Sequence, residues 1–191
     1  MGVLVSKQEA LKLCFSYTGA TIFNNYSETH YFKPDFQSKL IEAINSGVRK
    51  SGNVAVSLPF HGSPNFDGLF FETTTDKESV VSALGKEKLS PHNLDYVIVM
   101  GDIDGWCAAD LTNQYSPSRF SQAHFYRRFP YAIYDVKTGV KVGIPSSYRG
   151  EKDLVAMPAA RMFTDEEIQM YSSNLIEREE RRFELFLSNR R

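Results

Sequence analysis

What most constrains this chain is a change of period along it, with helix-spaced apolar residues towards both ends and short β-rich runs between them. From Asp35, the residues Phe36, Leu40, Ile41 and Ile44 recur at the spacing of an amphipathic helix, and Gly47 is its expected stop. Between residues 53 and 145 the texture turns strand-like. Val54-Ala55-Val56-Ser57-Leu58, Leu69 to Thr73, Tyr96 to Met100, Tyr131 to Val136 and Val140 to Ile144 are rich in β-branched and aromatic side chains. Such side chains suit a pleated, half-buried surface, so these runs predict a central sheet. Lys77 to Leu84 is expected to form a short helix between two strands, and Ser90-Pro91 to open a turn.

Thr164-Asp165-Glu166-Glu167 has the form of a capping box, with acids placed to favour a helix start. The helix is expected to run on to Arg191, because no proline or glycine intervenes. Ile168, Tyr171, Leu175, Arg182, Phe183 and Phe186 form its inward stripe, and the Glu177-Arg178-Glu179-Glu180-Arg181 block reads as a solvated face. At 191 residues, 42% hydrophobic and 13% aromatic, the chain can bury one sizeable core. We therefore expect a single α+β domain over residues 1–191, with a central mixed or mostly antiparallel sheet, flanking helices and a long C-terminal helix.

The amino end carries two overlapping patterns. Ser6-Lys7-Gln8-Glu9 is a second capping box ahead of Ala10, Leu11, Leu13 and Cys14, and we prefer it as the start of a short helix. Met1-Gly2-Val3-Leu4-Val5-Ser6 also fits N-myristoylation at Gly2, which would give weak membrane association. Phe15 to Pro34 reads as strand and loop.

A net charge of -1 argues against a surface built throughout for nucleic acid. Two cysteines, Cys14 and Cys107, are too few for a disulfide framework, and no run approaches the roughly 18 apolar residues of a membrane span. With no signal-peptide pattern, the expected location is cytoplasmic and reducing. The scattered His30, His61, His92 and His124 have no zinc-type spacing.

Three constellations could carry function. Gly101-Asp102-Ile103-Asp104 followed by Asp135-Val136-Lys137-Thr138-Gly139 resembles the PD-(D/E)XK nuclease superfamily, most nearly its RecB-like branch. That resemblance implies Asp104 and Asp135 as ligands of Mg2+ or Mn2+, Lys137 as the catalytic lysine, and nucleic acid as the partner. It further implies Glu42 as an early-helix acid and Gln169 with Tyr171 as late-helix residues. It needs an insertion through Ser116-Pro117-Ser118, and Arg119, Arg127 and Arg128 would supply a basic approach. Tyr134 to Val142 also reads as an ordinary hairpin with Gly139 at positive φ, and that plain hairpin is the preferred reading.

Cys107 with His124 forms the second constellation, a thiol and an imidazole that a strand pair could juxtapose. It resembles glutamine deamidases of the chemoreceptor-modifying and cytotoxic-necrotizing-factor type, which implies Cys107 and His124 as an alternative catalytic pair. Cys107 as a buried core residue is the preferred reading. The third is noncatalytic. Asp95 to Leu111 with Pro130 to Asp135 resembles the SMI1/KNR4-like binding domains of immunity proteins, which implies a protein partner. Ten tyrosines and fourteen phenylalanines are in keeping with such a binding surface.

Overall fold

The computed structural model describes residues 1–5, 12–18, 26–58, 70–73, 79–81, 83–100, 109–114, 122–127, 131–143, 153–156 and 164–189. In chain order its elements are β1 (Gly2–Val5), β2 (Lys12–Thr18), β3 (Tyr26–Tyr31), α1 (Phe36–Lys50), β4 (Val56–Ser57), β5 (Phe70–Thr73), β6 (Ser79–Val81) and α2 (Ala83–Leu89). A short 3-10 turn (Ser90–His92) leads to β7 (Tyr96–Met100), β8 (Ala109–Gln114), β9 (Gln122–Arg127), β10 (Tyr131–Asp135), β11 (Lys141–Gly143), β12 (Asp153–Ala156) and α3 (Asp165–Ser188). The fold is α+β, with a mixed sheet, flanking helices and a long C-terminal helix, as the periodicity predicts.

The first sheet has the order β11-β10-β7-β1-β4. Strand β1 runs parallel to both β4 and β7, while β10 is antiparallel to β7 and β11. Alternate residues of β7, of β10 and of the turn just after it enter opposite cores: Ile98, Met100, Tyr131 and Ile133 on the helical side, Val97, Val99, Tyr134 and Val136 on the other. Burial on both faces is why Val97 to Met100 is a continuous apolar run rather than an alternating one. The same logic hides β1, whose few apolar residues show no period.

The second sheet has the order β12-β9-β8-β2-β3, and β2 and β8 are parallel neighbours within it. Two adjacent parallel strands of the first sheet, β1 and β7, thus each lead on into two adjacent parallel strands of the second. Leu13 of β2 joins the helical-side core with Val3, Phe32 and Phe36. This corrects the expected amino-terminal helix, because Leu13 and Cys14 lie in a strand. The Ser6-to-Glu9 box itself is outside the described residues. Lys77 to Leu84 also differs from expectation. Ser79–Val81 pairs with β5, and the helix begins only at Ala83, so the β-branched valines prevail there.

Helix α1 passes through Gly47 and ends at Lys50. Gly47 is therefore not a stop. A Cβ on it would collide with the Glu180 carbonyl oxygen and lie 3.0 Å from Phe183 Cβ, so the missing side chain lets α3 approach α1. Lys50 pairs with Glu180 beside this crossing. Phe36, Leu40, Ile44, Val48, Tyr171, Leu175 and Phe183 fill the shared core, each large apolar side chain contributing about 1.5–3 kcal/mol by burial.

Helix α3 begins with the expected reciprocal cap. Thr164 N–H donates to Glu167 Oε2 at 2.8 Å, and Glu167 N–H donates to Thr164 Oγ1 at 3.2 Å. The charged block is not wholly solvated, since Glu179 is 0% exposed and accepts from Arg182 Nη1 at 3.0 Å. Glu179 follows Leu175 by one helical turn, which carries it onto the inward stripe. The Arg182 guanidinium sits 5.1 Å from the Tyr131 ring centroid, and that ring meets Phe183 edge to face at 4.9 Å.

Two stability predictions follow from the crossing. Gly47→Ala should lower the thermal midpoint by roughly 2–8 °C, overpacking outweighing the gain in helix propensity. An unchanged or higher midpoint would show that α3 is not held by this contact. Glu179→Ala should cost about 3–5 kcal/mol in denaturant unfolding by stranding a buried guanidinium, and Glu179→Leu with Arg182→Met should recover most of that loss.

Candidate functional site

Asp135 closes β10, and its carboxylate is engaged by its own turn. Oδ1 accepts from the Thr138 N–H at 2.7 Å and from the Thr138 hydroxyl at 3.0 Å. The backbone completes the motif: Gly139 N–H donates to Asp135 O at 2.8 Å and Asp135 N–H to Val140 O at 3.0 Å. Gly139 has φ of 79°, the left-handed region that glycine tolerates. Lys86 of α2 donates to Thr138 O at 2.8 Å, and Val136 N–H donates to Asp95 O at 2.9 Å. The hairpin reading of Tyr134 to Val142 therefore accounts for Asp135, Thr138 and Gly139 by turn chemistry. The Thr138 N–H, then its hydroxyl, hold the Asp135 carboxyl below the usual carboxylate range. Lys137 is exposed at the tip.

Asp104 lies outside the described residues. The strand register fixes where its segment departs: Met100, the end of β7, faces Tyr131, whereas Asp135 faces Tyr96. Those two pairs are about 13 Å apart along the strands. For a divalent cation, Asp135 would offer a carboxylate already held by the donors of Thr138 and by the Lys137 N–H. Among the described residues, no group of three or more His, Cys, Asp and Glu side chains could hold a metal ion.

Glu42 and Gln169 meet elsewhere, along a groove between α1 and α3 with a volume of about 460 Å³. Ile133 shares a different cavity with Phe186 and Leu187. Phe186 is about 25 Å along α3 from Gln169, so Gln169 and the cavity beside Ile133 belong to opposite ends of the helix. Glu42 pairs with Arg49. Tyr171 is a core residue, and burial, aided by Glu167, pushes its phenol up to about 12.

His124 sits in β9 opposite Thr112 and Leu154. Strand β8 begins at Ala109 opposite Arg127. Cys107, Arg119 and Arg128 are outside the described residues. Cys14 is disulfide-bonded and has Thr29 Oγ1 3.7 Å from its sulfur. Gly2 lies buried in β1 against Leu58 and Leu94, which accounts for a glycine there on packing grounds. Among the described residues, no helix is long and apolar enough to cross a membrane.

The sequence did not single out the apolar end of the first sheet. Met1, Tyr96, Ile133, Val142, Phe186 and Leu187, with Asn53, line a cavity of about 270 Å³. Tyr96 and Val142 are each 39% exposed at its rim. Val54 is 76% exposed, and its carbonyl accepts from the Met1 amine at 2.6 Å. This surface lies at the amino-terminal ends of β1 and β7, beside the carboxyl end of α3. Its residues come from six separate stretches of the chain, so only the assembled fold brings them together. A comparison with protein-family models finds none that matches, and a search of curated proteins finds no significant match either.

The turn chemistry of Asp135 generates a pH prediction. Its carboxyl is depressed in the folded state, so the stability it adds is present above the unfolded carboxylate range and is lost as pH falls through the lowered folded value. Asp135→Ala should melt below the wild type at neutral pH, and the gap should close in acid. A gap independent of pH from neutrality down to about pH 2 would remove the carboxylate from the account.

Proposed function

We propose that the chain is a noncatalytic protein-binding module that docks its partner on the apolar end of the first sheet. The observation that carries this reading is the cavity walled by Ile133, Phe186 and Leu187 and rimmed by exposed Tyr96 and Val142, with exposed Val54 close by. Exposed apolar side chains around a concavity mark interaction sites, and a tyrosine at the rim is the residue type that most often anchors an interface. The partner would insert one aliphatic or aromatic side chain into the cavity. The resemblance to SMI1/KNR4-like binding domains points the same way. The rival reading, an Mg2+- or Mn2+-dependent nuclease acting through Asp104, Asp135 and Lys137, draws on motif resemblance and gives Asp135 a second task besides its turn.

A photocrosslinker placed at Val54 or Val142 should trap the same partner, whereas one at Glu42 in the α1–α3 groove should not. The purified partner should bind Val54→Asp and Val142→Asp at least about tenfold more weakly than wild type, a loss of 1.4 kcal/mol or more. Two results would overturn the proposal: equal affinity for both variants, or Mn2+-dependent cleavage of DNA or RNA that Asp104→Asn and Asp135→Asn each abolish.

A further inference from the structure

We infer that the side chain a partner seats in the cavity beside Ile133 is a tryptophan, whose indole N–H donates to the side-chain carbonyl of Asn53. This rests on the docking reading and adds the chemistry of the occupant. Size is the first ground. The cavity has a volume of about 270 Å³, with Ile133, Val142, Phe186 and Leu187 among its walls. An apolar cavity of about 150 Å³ already takes a benzene ring. A lone leucine or phenylalanine side chain would therefore leave much of this one unfilled, and walls facing a gap lose their dispersion contacts. A bicyclic ring fills it best.

Hydrogen bonding is the second ground. Two described side chains bring polar groups to the cavity, Tyr96 at its exposed rim and Asn53. Asn53 is pinned by the end of α1, where its backbone N–H donates to Val48 O at 3.2 Å. The Ser51 hydroxyl also donates to Val48 O, at 2.7 Å, so its proton is committed and its oxygen can only accept. It accepts from Asn53 Nδ2 at 2.8 Å. That relay fixes the amide: its NH2 group is turned to Ser51 and its Oδ1 is turned away. Ser51 is itself buried, so the carbonyl is the end of the Asn53 amide that meets the open space. An aliphatic or phenyl side chain seated there would strip water from Oδ1 and offer no donor in return. A buried indole N–H needs such an acceptor. Tyrosine also carries a donor, but its single ring fills less of the space.

Two rings of nearly equal size test this on the full chain: 3-methylindole, which carries the N–H, and 3-methylbenzothiophene, which has sulfur in its place. Each is titrated into wild type and into Asn53→Leu while backbone amide signals are followed. We expect both probes to shift the signals of Ile133, Val142 and Leu187. The preference for the indole over the benzothiophene should fall roughly 2- to 10-fold in Asn53→Leu, the loss of one hydrogen bond. A preference unchanged by the substitution, with both probes still in the cavity, would overturn the tryptophan inference and leave the docking surface standing. Failure of both probes to shift those signals in wild type would overturn the docking reading, and this inference with it. Should Asn53→Leu not fold, bound 3-methylindole in wild type decides. A nuclear Overhauser contact from its N–H proton to the Asn53 side chain supports the hydrogen bond, and contacts from that proton to the apolar walls alone overturn it.

Discussion

Everything on the helical side of the first sheet depends on how closely α3 can lie against α1. The two helices run in the same direction over the sheet, and the contact at Gly47 sets their separation, because backbone meets backbone where a side chain would stand. That approach puts Phe183 against Tyr131 and carries Phe186 and Leu187 to the far end of the sheet beside Ile133. Without it the apolar cavity would lack one wall. The buried Glu179–Arg182 pair serves the same alignment. A paired charge beneath the helix is costly to misplace, so it sets the rotation of α3 more sharply than apolar packing alone would.

The parallel strands of the first sheet give it two distinct ends. At their carboxyl ends, β1 and β7 feed the second sheet, and the Cys14 disulfide stands near that crossing. At their amino ends, the Asp135 hairpin, Tyr96 and the end of α3 meet around the cavity. A tyrosine, valines and a half-open apolar cavity are suited to seating another protein's side chain, not to holding charge. The hairpin beside them is rigid for identifiable reasons: a carboxylate accepting from its own turn, a glycine at positive φ, and the Lys86 ammonium on the Thr138 carbonyl. Such a frame holds the neighbouring cavity residues in place.

How far this could be read from sequence varies with the residue. Phe36, Leu40 and Ile44 announced α1, and the Thr164 box announced α3, because helical spacing and caps are local signals. Gly47 misled because the same residue type ends helices and permits their close crossing, and only the partner helix tells the two apart. Glu179 was hidden inside a charged block, although its spacing from Leu175 placed it on the inward stripe. β1 gave no alternation because both faces of its sheet are covered, with Val3 in the helical-side core and Gly2 against Leu58 and Leu94, and polar segments such as Ala109-Asp110-Leu111-Thr112-Asn113-Gln114 gave no hint of the second sheet. Of the candidate site residues, Asp135 and Gly139 were legible as a hairpin. The cavity was not, because Met1, Tyr96, Ile133, Val142 and Phe186 are distant in sequence and share no motif.

The claim that most needs testing is that Asp135 serves its turn and the apolar end seats a protein, in place of a metal-dependent reaction centre. Paramagnetic broadening of backbone amide signals on titration with Mn2+ reads it directly, since Mn2+ broadens signals within a short range of wherever it binds. The account predicts that the amides from Asp135 to Gly139 keep their intensity at equimolar Mn2+, with losses no greater than those at exposed carboxylates such as Glu42. Selective, joint loss of the signals of Asp104 and Asp135 at that ratio would contradict it and place a cation between them.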